Sequence, residues 1–96
     1  MASNFSITTR TKGKRVEFRL RGDFDGMSAC ELLNALRDRS GFKGKVIIDT
    51  NGLKRIYPFG RETFCKNLHL VKNLPIRLEF AGEHAKRIAP ERNLFF

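Results

Sequence analysis

The stretch Lys45-Val46-Ile47-Ile48-Asp49-Thr50-Asn51-Gly52-Leu53-Lys54-Arg55-Ile56-Tyr57-Pro58 decides the fold. Its first five residues carry a β-branched run without polar alternation, the pattern of an interior strand that is paired in parallel or covered on both faces. Residues 45–49 are therefore expected at the centre of a sheet. Residues 50–58 have two readings. Asn51-Gly52 is a strong hairpin signal, which would fold residues 53–56 back on residues 46–48. Lys54-Arg55 and Pro58 make a poor partner strand, though, and Pro58 suits the first turn of a helix, where a missing N–H does no harm. The favoured reading is a strand, a basic loop, and a helix that begins near Phe59.

Downstream, Gly60, Phe64, Leu68 and Val71 share one helical face, and Asn73-Leu74-Pro75 supplies the stop. Ile76, Leu78 and Phe80 alternate with Arg77 and Glu79 as a last strand, and residues 82–88 fit a short helix before Pro90. Upstream, Phe5, Ile7 and Thr9 alternate with Ser6, Thr8 and Arg10. After a break at Lys12-Gly13-Lys14 the alternation resumes, with Val16, Phe18 and Leu20 set against Arg15, Glu17, Arg19 and Arg21. This predicts an antiparallel hairpin with one apolar face and one basic face. Gly22-Asp23-Phe24-Asp25-Gly26 is expected to turn the chain, and Ser28-Ala29-Cys30-Glu31 has the form of a capping box, so a helix should start there. Ala29, Leu32, Leu33 and Leu36 form its buried stripe, and Ser40-Gly41 ends it. The order β-β-α-β-α-β-α demands right-handed crossovers. It predicts an α/β fold with a four-stranded mixed sheet, an antiparallel first strand and helices mainly on one face.

Composition limits what such a fold can do. The chain has 96 residues with 19 Lys plus Arg against 10 Asp plus Glu, a formal charge of +9. A chain of this length makes one domain, with a core over about residues 5–89 and a tail over 90–96. The apolar runs are far below the roughly 20 residues of a membrane span, and the first residues lack a signal-peptide pattern, so a cytoplasmic location is expected. Cys30 and Cys65 stand too far apart for a zinc motif or a disulfide framework, and both are expected as buried thiols. His69 and His84 are the only imidazoles. His69 is expected on the surface or half-buried late in a helix and His84 in a capping or packing role, with no third residue to orient a nucleophile. Gly22 and Gly26 lack the spacing of a phosphate-binding loop. No catalytic residue, metal set or cofactor is expected.

Three local sequences, taken with the order of elements, resemble the STAS domain, the family of sulfate transporters and anti-sigma factor antagonists. Leu20-Arg21-Gly22-Asp23-Phe24-Asp25, followed by Ser28-Ala29 and Leu32-Leu33, is similar to that family's passage from a strand into the first helix. Residues 46–56 are similar to its central strand, and Ile56-Tyr57-Pro58-Phe59-Gly60 occupies the place of its signature at the start of the second helix. The resemblance covers roughly residues 5 to 89 and implies a stand-alone bacterial regulator that binds an anti-sigma factor or related protein. Two departures stand out. The family opens its second helix with an Asp and a phosphorylatable Ser, where this chain has Tyr57 and Pro58, and the terminal helix is cut short. Sliding the register to make Thr50 the phosphosite would place Pro58 and Gly60 inside a helix, which is costly.

The resemblance implies a protein partner docked at the two helix N-termini, through Phe24, Asp25, Asn51, Tyr57, Pro58 and Arg61, and the charge of +9 makes an acidic one the expectation. For Tyr57-Pro58-Phe59 two readings stand. The three are either an interaction patch, or Phe59 tucks under the helix as a staple while Tyr57 covers the loop. A second class of partner, nucleic acid, would use Lys12, Arg15, Arg19 and Arg21, although the strand Phe residues alternate away from those cations and leave them without stacking platforms. Leu94-Phe95-Phe96 is either a clasp on the sheet or a sticky end for a homodimer.

Overall fold

Strict alternation in the second strand fixes the first layer. In β2 (Arg15–Phe24), Val16, Phe18, Leu20 and Phe24 are buried, while Arg15, Arg19 and Arg21 stay in solvent, because successive side chains of a strand point to opposite faces. The computed structural model describes residues 4–39, 43–71 and 76–88. β1 (Ser6–Lys12) pairs antiparallel with β2 around Gly13-Lys14. β3 (Gly44–Ile56) pairs in parallel with β2 on one side and with β4 (Ile76–Ala81) on the other, giving a four-stranded sheet in the order β1-β2-β3-β4. The crossovers are α1 (Gly26–Arg37) and α2 (Pro58–Asn67), the latter continued by a 3-10 turn at Leu68–Val71, and α3 (Ala85–Ile88) comes after β4. This is the expected α/β order with a mixed sheet.

The core lies between the helices and one face of the sheet. Ala29, Leu32, Leu33 and Leu36 of α1 are buried, as are Gly60 and Phe64 of α2 and Leu68 and Val71 just beyond it. Phe5, Phe24, Phe64 and Phe80 run edge to face through this core, with successive ring centroids 6.0, 6.1 and 6.0 Å apart. That chain of rings ties the start of β1, the end of β2, α2 and β4 together. The opposite sheet face carries Arg10, Lys12, Arg15, Glu17, Arg19, Lys45, Ile47, Arg77 and Glu79 in exposed or half-buried positions.

Several expectations are corrected. The disfavoured Asn51-Gly52 hairpin does not form, but the expected basic loop is strand: β3 runs through to Ile56 and stays paired with β2 (Arg21↔Gly52, Gly22↔Leu53, Phe24↔Ile56). Two register shifts each add one residue to β3, between Arg19 and Arg21 and between Gly22 and Asp23 of β2. Gly22 accommodates this with φ of +91°, a conformation that L side chains avoid. β2 also continues further than expected, so the turn shrinks to Asp25. That residue, and not Ser28, caps α1: the Asp25 carboxylate accepts from Ser28 N at 2.9 Å. Cys30 is exposed and Cys65 half-buried, because neither lies on its helix's buried stripe. Ser40-Gly41, Asn73-Leu74-Pro75, Pro90 and the Leu94-Phe95-Phe96 tail lie outside the described residues.

Thr50 is fully buried at the point where β4 leaves the sheet. Its hydroxyl donates to Ala81 O at 2.8 Å and accepts from His84 N at 3.1 Å, while Asn51 Oδ1 accepts from Glu83 N at 2.8 Å. The two side chains replace ladder bonds that β4 stops supplying after Ala81. Thr50→Val keeps the shape but orphans a buried donor and acceptor, and should lower unfolding free energy by about 1–3 kcal/mol, read as a shift in the urea midpoint at unchanged slope. A variant as stable as the parent would show that the hydroxyl bridge contributes nothing.

Candidate functional site

Because Phe24 and Ile56 are register partners, β2 and β3 leave the sheet side by side, and each leads directly into a helix. Asp25 caps α1 and Tyr57 occupies the same position on α2. Tyr57 N donates to Phe24 O at 2.9 Å, so one further backbone bond draws the two exits together. Two glycines then let the helix origins interlock. A Cβ on Gly60 would stand 2.6 Å from Phe24 O and 2.9 Å from Asp25 Cα, so α2 rests directly on the backbone that caps α1. In return the ring of Phe59 covers Gly26, where a Cβ would stand 2.7 Å from the ring.

The interlock excludes the staple reading of Tyr57-Pro58-Phe59. Phe59 does not tuck under its helix; it is 69% exposed, braced from below by Gly26. Tyr57 is 40% and Met27 52% exposed, and these three are the exposed large apolar residues of the described chain. Met27 was not legible as a site residue. Its sequence signal is an apolar residue in the first turn of α1 that falls off the buried stripe of Ala29, Leu32, Leu33 and Leu36.

The electrostatics around this patch differ between the helices. Asp25 accepts from both Ser28 N and Ser28 Oγ at 2.9 Å, and Ser28 Oγ also donates to Asp23 O. The Asp25 carboxyl is held below its ordinary 3.8, first by the Ser28 backbone N–H; burial opposes this and the Ser28 hydroxyl reinforces it. α2 has no side-chain cap, Pro58 takes its first position, and no acidic residue stands in its first turn. The positive end of α2 therefore has no side-chain counter-charge, and exposed Lys54 and Arg55 and half-buried Arg61 flank it in sequence. A hydrogen bond from the Arg55 guanidinium to the Tyr57 phenol, with attraction from Asp23, pushes the Arg55 pKa up and ties Tyr57 to that basic rim.

The remaining candidates are scattered or already engaged. Phe24 is fully buried, so its side chain supports the site from beneath and cannot contact a partner. Asn51 is exposed, yet its side-chain oxygen is engaged by Glu83 N. Lys12 and Arg15 meet across the β1–β2 turn. Arg19 is separated from Arg15 by Glu17, which it binds at 3.0 Å, and Arg21 lies past the register shift opposite Gly52, so these four cations do not form one patch. His69 is exposed, and half-buried His84 lies 3.5 Å from Glu83. Among the described residues no group of three or more His, Cys, Asp or Glu side chains converges, and no helix is long and apolar enough to cross a membrane.

No family model and no curated protein matches the sequence. Solved structures do. One of Mglu superposes with a TM-score of 0.65 at 26% identity, over 91% of this chain and 20% of that one. Mglu in its L-glutamate binding form in the presence of 4.3 M NaCl gives 0.70 at 18% identity, over 88% of this chain and 28% of that one. The anti-sigma factor antagonist SpoIIAA in its unphosphorylated form gives 0.60 at 12% identity, over 88% of this chain and 79% of that one. The chain thus spans between a fifth and a third of the Mglu chains and most of the SpoIIAA chain. Its fold is STAS-like, as the sequence resemblance implied.

The Asp25 cap has a signed pH dependence. Its folded pKa is depressed, so its contribution is present above the unfolded carboxylate pKa and is lost as pH falls through the folded value, in the region below about pH 4. Asp25→Ala should cost about 1 kcal/mol at pH 7 in urea unfolding, and the gap to the parent should narrow at pH 3. An equal gap at both pH values would detach the cap from the ionised carboxylate.

Proposed function

We propose that the chain is a noncatalytic docking module of anti-sigma factor antagonist type, which binds an acidic protein partner at the interlocked helix N-termini and works without a serine switch. The observation that carries this reading is that Met27, Tyr57 and Phe59, the exposed large apolar residues of the described chain, all stand at the two helix origins that Gly26 and Gly60 let interlock. An exposed ring packed on backbone, as Phe59 is on Gly26, has less freedom to lose when covered, which suits an interface anchor. The rim of Lys54, Arg55 and Arg61 and the uncapped start of α2 favour carboxylates on the partner. The fold likeness to SpoIIAA supports an anti-sigma factor or a related cytoplasmic regulator as that partner.

Two features support the absence of a switch. Pro58 stands at the first position of α2 and has no hydroxyl to carry a phosphate. Thr50 lies inside β3, six residues before the strand's end at Ile56, with its hydroxyl buried and bonded in both directions. A phosphate there would have to break the attachment of β4 to β3, so it would act as a lesion in the sheet and not as a charge at a docking surface. Asp25, Pro58 and Phe24 shape the platform, while Met27, Tyr57, Phe59 and Arg61 make the contacts.

The test is affinity recovery of the partner from nuclease-treated native lysate, followed by direct titration with the purified partner. Tyr57→Ala combined with Arg61→Glu, and Phe59→Ala alone, should each weaken binding at least tenfold, the loss of about 1.4 kcal/mol or more. The thermal midpoint of Phe59→Ala should hold, since that ring is 69% exposed, and thermal melts of the double variant verify that it is folded. Undiminished affinity in both variants would reject the site.

A further inference from the structure

The sheet register assembles a second surface at the opposite end of the molecule. Lys12 pairs with Arg15, Arg15 with Lys45 and Lys45 with Arg77, so one row of side chains on the open face is basic on every strand. Adjacent strands lie roughly 4.8 Å apart, which spreads the four cations along about 14 Å. Lys14 projects from the turn beside them, and Lys12, Lys14, Arg15 and Lys45 line a shallow groove of about 500 Å³. Lys45 is 3.2 Å from Glu79. Lys12, Lys14, Arg15 and Arg77 are exposed, and like charges so placed repel one another until a counter-charge arrives.

The next rows show what shape that counter-charge takes. Arg10, Glu17, Ile47 and Glu79 form the second row, and Thr8, Arg19, Asp49 and Ala81 the third. Carboxylates thus stand one row behind the cations, at about 7 Å along the strands. A broad anionic plane laid on this face would meet Glu17, Glu79 and Asp49. A chain of anions one phosphate wide can follow Lys12, Lys14, Arg15 and Arg77, with Glu17 turned away to Arg19 and Glu79 already neutralised by Lys45. No aromatic ring stands in any of the three rows, so there is no platform for stacked bases.

We infer that this row binds the phosphate backbone of a single-stranded nucleic acid, without base preference. The groove is built from the N-terminal ends of β2 and β3 and the β1–β2 turn, whereas Met27, Tyr57 and Phe59 stand at the C-terminal ends of the same strands. The two surfaces are independent, so failure of either leaves the other standing. Of the four cations expected from sequence, Lys12 and Arg15 belong to the row, while Lys45 and Arg77 take the places of Arg19 and Arg21. The change comes from pairing across strands that are distant in sequence.

The test is fluorescence anisotropy of a labelled 20-nucleotide oligo-dT titrated with the full chain at several salt concentrations. Binding should weaken with salt, with a log–log slope of about −3 for four phosphate contacts on a single strand. Lys12→Glu/Arg15→Glu/Arg77→Glu should lower affinity at least tenfold, and the glutamine version of the same triple should give an intermediate loss. Lys66→Glu/Lys86→Glu/Arg87→Glu changes net charge equally on the helix side of the sheet, away from the row, and should stay within about threefold of the parent. Thermal melts verify that each variant is folded. Absence of binding at low salt, equal losses from the two charge-reversal triples, or tighter Lys12-dependent binding to phosphatidylserine vesicles or polyglutamate than to oligo-dT would each overturn the inference.

Discussion

The double pairing of β3 is the constraint on which the rest of the molecule depends. β3 is hydrogen-bonded to β2 along nearly its whole length, but β4 accompanies it only as far as Asp49. Past that point one edge of β3 would be left bare, and an unpaired strand edge is a liability. Thr50 and Asn51 cover it by bonding Ala81, Glu83 and His84, which makes the β4–α3 connection a substitute for the missing ladder. With that edge secured, residues 52–56 can accompany β2 to its end. Only then do the two strands release their helices from adjacent points.

Adjacency at the helix origins has a packing consequence. Two helix N-termini emerging side by side would ordinarily repel through their partial positive ends, and each needs its first-turn N–H groups satisfied. The chain solves this unequally. α1 receives a carboxylate cap from Asp25, bonded to both Ser28 N and Ser28 Oγ. α2 receives Pro58, which deletes one donor, and packs Gly60 onto the backbone of Phe24 and Asp25. Phe59, next to buried Gly60, lays its ring over Gly26 and is left 69% exposed.

Much of the fold was legible because its periods are clean. Val16, Phe18 and Leu20 in β2, the Ala29–Leu32–Leu33–Leu36 stripe of α1, and Gly60–Phe64–Leu68–Val71 around α2 each repeat at the spacing of the element that carries them. The second half of β3 was not legible for the same reason in reverse. Its buried or half-buried core positions are Val46, Ile48 and Thr50 at a spacing of two, then Leu53 and Ile56 at a spacing of three, because each register shift inserts a residue. Broken alternation next to Asn51-Gly52 looks like a loop. The cap of α1 was displaced by the competing signal Ser28-x-x-Glu31, although Asp25 three residues before Ser28 offered the same chemistry. Tyr57 and Pro58 were readable from the helix start, whereas Met27 and the Lys45–Arg77 pair depend on contacts between elements that no local pattern encodes.

The charge of +9 takes on a different meaning once it is placed on the elements. In a parallel α/β arrangement the strand C-terminal ends face helix N-termini, and those ends already carry partial positive charge. Here the same end collects Lys54, Arg55 and Arg61 around an apolar cluster, while the strand N-terminal ends collect Lys12, Lys14, Arg15, Lys45 and Arg77 without one. α1 returns to that second end and leaves Arg37 in its last turn, where a cation complements the helix dipole. Salt should then act unequally on the two ends. The row of cations has only charge to offer and is screened over about 8 Å at physiological ionic strength. The helix-origin surface also has Met27, Tyr57 and Phe59 to desolvate, and burial of apolar area is not screened by salt. If both proposals hold, the contact at the strand C-terminal ends is the more salt-tolerant and the one at the N-terminal ends the more salt-sensitive, with the length of the strands between them.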